Sequence, residues 1–298
     1  MTHTIVIPWR PAPSRLYAFR RVVEWYSRIL PAFRLVPLDT GDDLFSLSRI
    51  RNLAVTRASK ADDVIVISDA DTLPEREPLM AAIAAAPRSG RVHLPYTAYH
   101  WLGPSGTAQS EAGRALEDCD YEIVHDACSG VYVTTRSTWE SHGGQDERFR
   151  GWGFEDSAWY LAHQTLLGAS PQRHEGVVYA LHHVVERRDG PHFDRNVELM
   201  ERYVRAAGDR REMRRLVDEG RRMRDPSTPG IVRSIAQTLE RLPRTGDGAG
   251  TAAAPQGPAI DERSSRTRAS MSSRIRRTSA SGCPTGSSRS QSRYCRPG

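Results

Sequence analysis

A run of four β-branched apolar residues occupies positions 64–67, and two carboxylates, Asp69 and Asp71, follow it almost at once. A strand made only of such residues is buried on both faces, as in the centre of a parallel sheet. Open sheets flanked by helices bind their ligands at the carboxyl ends of such strands. The segment therefore predicts an α/β protein whose functional site includes both carboxylates.

The surrounding sequence alternates between strand and helix patterns. A short β-branched run ends at Pro8, which lacks the backbone N–H that a central strand needs. Strands are expected over 3–7, 33–38, 91–96, 130–134 and 176–181. Helices are expected over 16–30, 46–58, 78–86, 156–167, 194–206 and 210–224, from the spacing of their apolar residues. The stretch 97–119 is rich in Gly, Ser and Ala and is expected to be a surface loop with a short helix.

Composition divides the chain into three parts. Residues 1–205 are expected to form one α/β domain, 206–243 a helical extension, and 244–298 a disordered basic tail rich in Ser, Arg, Gly and Pro. The tail has hardly any large apolar side chains to offset the entropy lost on ordering. Residues 246–298 contain nine arginines and three acidic residues, so the whole formal net charge of +6 arises there.

Several protein classes are disfavoured. The sequence has no run of about 18 apolar residues that could span a membrane, and its first residues do not resemble a secretion signal. We therefore expect a cytoplasmic protein without a membrane span. The four cysteines lack the spacing of a zinc site or a disulfide framework. The Arg/Ser tail could bind nucleic acid, but it contains only one aromatic residue, Tyr294, and a nucleic-acid partner is not favoured.

The Asp69-Ala70-Asp71 motif indicates metal-ion chemistry. Mg²⁺ and Mn²⁺ are typically held by one or two carboxylates together with the phosphate oxygens of a substrate. The alternative is a solvated turn, because Asp is common in turns of any function. The position of the motif at the end of a buried strand favours the functional interpretation.

A second motif spans residues 143–156, Gly-Gly-Gln-Asp-Glu-Arg-Phe-Arg-Gly-Trp-Gly-Phe-Glu-Asp. Gly151 and Gly153 flank Trp152 and leave a face of the indole free to stack on a sugar ring. The acidic pair Glu155 and Asp156 begins a helix, where negative charge is stabilised by the helix dipole. That capping role alone does not explain the Gly-Trp-Gly sequence before it.

Residues 143–156 resemble the GGFDE-x-F-x-GWG-x-ED signature of GT-A-fold glycosyltransferases, the family-2 enzymes and the β-1,4-galactosyltransferases among them. Residues 48–54 resemble the helix that precedes the D-x-D motif in the same superfamily, and residues 5–8 resemble its opening strand. The motifs follow the superfamily's order over about residues 4–205. The resemblance implies a GT-A-like α/β fold, with a mixed, mostly parallel sheet flanked by helices and followed here by C-terminal helices.

The resemblance also implies an activity, the metal-dependent transfer of a sugar from a nucleotide-diphosphate sugar to a hydroxyl group. The enzyme would be a hexosyltransferase that inverts the configuration at the anomeric carbon. A UDP-sugar is the favoured donor, and the acceptor could be a glycan, a protein, a lipid or a small molecule. Mn²⁺ or Mg²⁺ is the expected cofactor.

Roles follow for the residues that match the motifs. Asp71 would coordinate the metal, and Asp69 would belong to the same metal site and contact the donor ribose or a metal-bound water. Asp156 would be the general base, and Glu155 would hold the hydroxyl groups of the acceptor. The remaining substrate-binding residues would be Pro8, Arg10, Asp39, Arg51, Asn52, Gly151, Trp152 and Gly153.

A histidine after the last strand often completes the metal site in this superfamily. His182, His183 and His192 are the candidates, and strand alternation allows only one of the first two to face the cleft. We favour His183, although a surface histidine is an equally ordinary explanation for any of the three. Departures from the signature at Gln145 and Phe154 are expected to alter contacts with the acceptor.

Two other functions remain open. A sugar nucleotidyltransferase would also use a doubly wound sheet and acidic metal ligands, but residues 8–13 contain none of the glycines of a phosphate-binding loop. A catalytically inactive protein that binds carbohydrate or nucleic acid could retain the fold without turnover.

Overall fold

The computed structural model describes residues 3–57, 60–184, 189–224 and 230–240. The tail expected over 244–298 lies outside these ranges, as does the end of the expected helical extension.

The strands, in chain order, are β1 (Thr4–Pro8), β2 (Arg34–Asp39), β3 (Val64–Ser68), β4 (Thr72–Pro74), β5 (His93–Leu94), β6 (Ala98–Trp101), β7 (Glu122–Ile123), β8 (Val131–Thr135), β9 (Gln172–Arg173), β10 (Val177–Ala180) and β11 (Ile231–Val232). The helices are α1 (Leu16–Ile29), α2 (Leu47–Val55), α3 (Arg76–Ser89), α4 (Gly103–Glu111), α5 (Arg136–Ser141), α6 (Glu155–Leu167), α7 (Pro191–Ala206), α8 (Arg210–Arg222) and α9 (Ile235–Leu239).

The larger sheet has the strand order β11-β2-β1-β3-β8-β5-β9, and a smaller sheet has the order β4-β10-β6-β7. Strands β2, β1 and β3 are parallel, whereas β8 is antiparallel to β3. The predicted mixed α/β fold, a mixed sheet flanked by helices, is confirmed. Within the described residues, parallel pairing in the larger sheet is confined to this central group and to the β5–β9 edge.

The β-branched run lies at the centre of the larger sheet, as its composition predicts. All five residues of β3 are buried. Helix α2 packs on β1 and β3, and α3 packs on β3 and β8. Helices therefore cover the central strands of the larger sheet. Asp69 and Asp71 follow the carboxyl end of β3 and lie at the edge of the sheet where that strand ends.

The expectation of a loop over 97–119 is wrong in part. Residues 98–101 form β6, which pairs in parallel with β10, and α4 follows. Nothing local marks β6 as a strand, because its partner lies almost 80 residues further along the chain. The same holds for the two-residue strand β11, which pairs antiparallel with β2.

Helices α6, α7 and α8 pack against one another, and Trp159 of α6 contacts Tyr132 of β8 in the larger sheet. Helix α6 begins at Glu155 and carries the acidic pair in its first turn. No described helix has both the length and the apolar character needed to cross a bilayer.

Candidate active site

A cavity of about 250 Å³ lies where the two sequence motifs meet. The end of β3 contributes Asp69 and Asp71, the first turn of α6 contributes Glu155 and Asp156, and His183 enters from the segment after β10. The cavity is also lined by Pro8, Arg15, Arg51, Gly151 and Trp152. The structure therefore brings together most of the residues predicted for the site.

Arg51 connects the two motifs. Its side chain on α2 is completely buried. One guanidinium nitrogen donates to both oxygens of Asp69, at 2.8 and 2.9 Å, and the other donates to Oδ1 of Asp156 at 2.6 Å. Both hydrogen bonds to Asp69 come from one nitrogen, and charge-assisted bonds of this kind are stronger than neutral ones. Arg51 thus sets the position of a carboxylate from each motif.

Asp156 is held through one oxygen. Its Oδ1 accepts hydrogen bonds from Arg51, from Nε2 of Gln145 at 3.2 Å and from the hydroxyl of Tyr132. No hydrogen bond from the described residues reaches Oδ2. Since Asp156 lines the cavity, it is an oriented carboxylate with one oxygen available to a ligand. No sequence motif includes Tyr132, and Gln145 was expected only to alter contacts with the acceptor.

The cluster has an excess of negative charge. One buried guanidinium faces Asp69, Glu155 and Asp156, and the Oε1 atom of Glu155 lies 3.9 Å from Arg51 without a hydrogen bond. Burial, reinforced by the adjacent Asp156 carboxylate, raises the pKa of Glu155 far above its usual range. Burial also raises the pKa of Asp69 to about 6, against the attraction of Arg51. The cluster therefore retains a proton near neutral pH, and Glu155 is the carboxyl group best placed to hold it.

Asp71 and His183 fit a divalent cation. Nε2 of His183 lies 3.1 Å from Oδ2 of Asp71, and Nδ1 of the same imidazole contacts the carbonyl oxygen of Val184 at 2.9 Å. When Nδ1 carries the proton donated to that carbonyl, Nε2 presents a lone pair beside a carboxylate oxygen, and Mn²⁺ accepts both types of ligand. Asp69 is engaged by Arg51 instead. The described residues contain no group of three or more potential ligands, so further ligands would come from substrate or water.

The other two candidate histidines lie away from Asp71. The ring of His182 packs at 6.0 Å from that of Trp101. His192 is exposed in the first turn of α7. Of the three, the structure brings only His183 to the carboxylate.

Asp39 lies at the end of β2 and is completely buried. It accepts hydrogen bonds from Arg10 at 2.8 and 3.0 Å and from Arg233 at 2.7 Å. Burial alone would raise the pKa of Asp39, but the two guanidinium groups hold it down at about 2. Arg233 directly follows β11, a strand of two residues that no sequence pattern marks.

Asn52 is buried and is not among the residues that line the cavity. Its Nδ2 donates to the carbonyl oxygen of Gln145 at 2.8 Å and to Glu147 at 2.9 Å. Its Oδ1 accepts from Trp139 and from the backbone N–H of Gln145, both at 2.9 Å. With two donors and two acceptor sites engaged, the amide has no capacity left for a ligand. The geometry gives Asn52 the role of holding the loop that carries Gln145.

Trp152 lines the cavity between two glycines with positive φ angles, +68° at Gly151 and +110° at Gly153. Its ring packs against Phe193 of α7, with centroids 6.2 Å apart and planes 21° apart. Phe154 also has a positive φ of +74°, which is strained for an aromatic residue. The Gly-Trp-Gly turn therefore projects a supported aromatic ring into the site.

Arg15 is a cation that the sequence motifs do not identify. It lines the cavity together with Asp71 and His183. It follows a proline-rich loop and lies in a short 3₁₀ turn before α1. No hydrogen bond or ion pair from the described residues engages its guanidinium group, so it is available to an anion.

No protein-family model matches the sequence, and no curated protein is significantly similar to it. Solved structures do resemble it. One is Drosophila β-1,4-galactosyltransferase 7 with manganese, UDP-Gal and xylobiose, at 18% identity and a TM-score of 0.39, covering 58% of this chain and 64% of that one. Another is GalNAc-T7 with UDP, GalNAc and Mn²⁺, at 11% identity and a TM-score of 0.42, covering 74% and 55%.

A third is a mannosyltransferase from Pyrobaculum calidifontis with GDP-Man and Mn²⁺, at 13% identity and a TM-score of 0.37, covering 75% of this chain and 76% of that one. The chain spans less than two thirds of the galactosyltransferase and of GalNAc-T7. With TM-scores below 0.5, these likenesses carry no conclusion about activity.

Proposed function

We propose that the chain is a metal-dependent glycosyltransferase that moves a sugar from a nucleotide-diphosphate sugar to a hydroxyl acceptor with inversion. The observation that carries the proposal is the completely buried Arg51, which ties the D-x-D carboxylate Asp69 to Asp156 around one cavity. A solvated turn and a helix cap, the ordinary explanations of the two motifs, do not require such a connection.

The donor diphosphate would lie between Asp71, His183 and Arg15. A Mn²⁺ or Mg²⁺ ion held by Asp71 and His183 would neutralise the charge that develops on the diphosphate leaving group. Arg15 would donate charge-assisted hydrogen bonds to phosphate oxygens, for which the planar guanidinium group is well suited. The nucleoside, favoured as uridine, would lie toward Pro8, Arg10 and the buried Asp39.

Asp156 would act as the general base. As the acceptor oxygen attacks the anomeric carbon, the bond from that carbon to the diphosphate breaks and the hydroxyl proton moves to Oδ2. The hydrogen bonds to Oδ1 keep the base in a single orientation. A positioned base of this kind typically contributes about 10²–10⁴-fold in rate.

Glu155 and Trp152 would position the acceptor. Because the pKa of Glu155 is raised, its protonated carboxyl group can donate a hydrogen bond to an acceptor oxygen near neutral pH. The indole of Trp152 would stack on the apolar face of a sugar ring. Both residues line the same cavity as Asp156.

The test is a screen of UDP-, GDP- and dTDP-sugars against the purified protein with Mn²⁺, Mg²⁺ or EDTA. Thermal stability reports binding, and release of the nucleoside diphosphate reports turnover. Asp156→Asn should lower turnover by about 10² or more while keeping the stabilisation by nucleotide. Asp71→Ala should abolish the dependence on metal, and Asp194→Asn, an exposed carboxylate of α7, is the matched control.

If no donor stabilises the protein and none is turned over, the proposal is wrong. Binding without turnover in both the unmodified protein and Asp156→Asn would instead indicate a carbohydrate- or nucleotide-binding protein.

A further inference from the structure

A second cavity, of about 440 Å³, is lined by the loop that precedes Trp152 and by residues of α7 and α8. Among the described residues that line it, five are arginines and two are glutamates, and Asp42, Asp146 and Glu219 pair with three of the arginines. None of the proposed donor-binding residues belongs to this cavity.

The arginines of this second cavity differ in their partners. Arg148 is held by Asp146 at 2.7 Å and by Glu219 at 2.5 Å, and Arg202 is paired with the same Glu219. In contrast, no described residue accepts a hydrogen bond from the guanidinium group of Arg150 or Arg195. Two cations lining the cavity are therefore available to a ligand, while their neighbours hold the walls in place.

The second cavity adjoins the candidate active site through the backbone. Arg150 directly precedes Gly151 and Trp152, which line the first cavity. Because consecutive Cα atoms are about 3.8 Å apart, the Cα atoms of Arg150 and Trp152 are within about 8 Å of each other. Buried Asn196 of α7, next to Arg195, donates to the carbonyl oxygens of Arg150 at 2.8 Å and Trp152 at 3.2 Å. One side chain thus fixes the wall that the two cavities share.

We propose that the second cavity binds an acidic group of the acceptor, so that the substrate of the proposed transfer is an anionic molecule with a free hydroxyl group. Arg150 and Arg195 would donate to a phosphate, sulfate or carboxylate, which are the oxyanions that guanidinium groups bind best. The inference rests on the proposed glycosyltransferase function. It explains why Arg150 and Arg195, beside the loop that presents Trp152, have no hydrogen-bond acceptor for their guanidinium groups among the described residues.

Calorimetric titration of the full chain tests the proposal without any donor. The probes are glucose 6-phosphate, glucose 6-sulfate and glucuronate, with glucose as the neutral control, at low and moderate ionic strength. At least one anionic probe should bind, more weakly as salt screens the charges, and glucose should not. The double variant Arg150→Gln/Arg195→Gln should weaken that binding about tenfold or more, because both charge-assisted contacts are lost.

The matched control is Arg205→Gln, on the same helix but outside the cavity lining, with a side chain that is 67% exposed. It should bind the probe as the unmodified protein does. Melting curves establish that each variant folds. The proposal is refuted if the double variant binds the anionic probe as tightly as the unmodified protein does, or if glucose binds as tightly as its anionic derivatives. Loss of binding in Arg15→Gln, with binding retained in the double variant, would assign the anion to the first cavity.

Donor hydrolysis measured on the same variants separates the two proposals. The double variant should hydrolyse the nucleotide sugar at the unmodified rate, since neither arginine lines the first cavity. A protein that binds the acidic probes through Arg150 and Arg195 but hydrolyses no donor would contradict the glycosyltransferase function and leave the anion site standing.

Discussion

Replacing Arg51 with methionine is the most direct test of how the site is held together. Methionine has a similar length and preserves apolar packing, so the variant removes the charge and the hydrogen bonds of a completely buried side chain. Asp69 and Asp156 are then left in the protein interior without their counterion. Both the stability and the pH dependence of the protein should change.

The magnitude follows from how far the two carboxylates are buried. Breaking a fully buried ion pair by removing one partner typically costs about 3–5 kcal/mol. The side chains of Asp69 and Asp156 remain 19% and 20% exposed, which places the expected loss at the lower end. A loss of about 3 kcal/mol corresponds to a fall in Tm of about 6–12 °C for a domain of this size.

The loss should also depend on pH. Without Arg51, the folded-state pKa of Asp69, already raised to about 6 by burial, should rise further, as expected for carboxyl groups buried without a counterion. Such groups contribute most stability below the unfolded pKa and lose it as pH rises through the folded value. The difference in Tm between Arg51→Met and the unmodified protein should therefore be larger at pH 7.5 than at pH 4.5.

Calorimetric or fluorescence melting at the two pH values measures this difference. Arg136→Met is the matched control, since the Arg136–Glu140 pair has side chains 43% and 52% exposed and should contribute less than about 1 kcal/mol. A fall in Tm of less than 2 °C, or the same fall at both pH values, would show that Arg51 does not neutralise the buried carboxylates.

Three further predictions concern the neighbouring elements. As pH rises from 5 to 8, the stability of Glu155→Gln should increase relative to that of the unmodified protein. The reason is that the Glu155 carboxyl group, whose pKa is raised in the folded state, loses its stabilising protonated form over that range. Parallel curves of Tm against pH for the two proteins would contradict this. Phe154→Gly should be more stable than Phe154→Ala by about 1 kcal/mol in chemical denaturation, because φ is +74° there, and the opposite order would show that the backbone is not strained. Gly144→Ala should lower the free energy of unfolding by more than about 2 kcal/mol, since the added Cβ would lie 2.4 Å from Oδ1 of Asn52. The control Gly90→Ala, at a site with a positive φ and open space, should lower it by only about 1 kcal/mol. Equal losses in the two variants would rule out the clash.

The parts of the site that the sequence predicts are those with a local pattern. The β-branched run identified β3 and therefore the place of Asp69 and Asp71 in the sheet. The Gly-Trp-Gly-x-Glu-Asp sequence likewise identified the start of α6. Each signal lies within about ten residues, and each element is long enough for its periodicity or composition to be read.

Two residues that hold carboxylates of the site, Tyr132 at Asp156 and Arg233 at Asp39, could not be predicted in the same way. Tyr132 reaches Asp156 because β8 lies antiparallel to β3, with Tyr132 opposite Ile67. Arg233 reaches Asp39 only because β11, two residues long, pairs with the edge of β2. Such pairings depend on contacts distant in sequence, which neither composition nor spacing contains.

The neighbouring residues Arg51 and Asn52 illustrate how one helix serves both assembly and chemistry. Asn52 uses all its hydrogen-bonding capacity to hold the loop around Gln145, and Gln145 in turn contacts Asp156. Arg51 reaches the same Asp156 directly. Two adjacent positions of α2 therefore act on the same carboxylate, and the effects of substituting both on the proposed turnover should be less than additive. Once Arg51 is removed, Asp156 has already lost the orientation that Asn52 supports through Gln145.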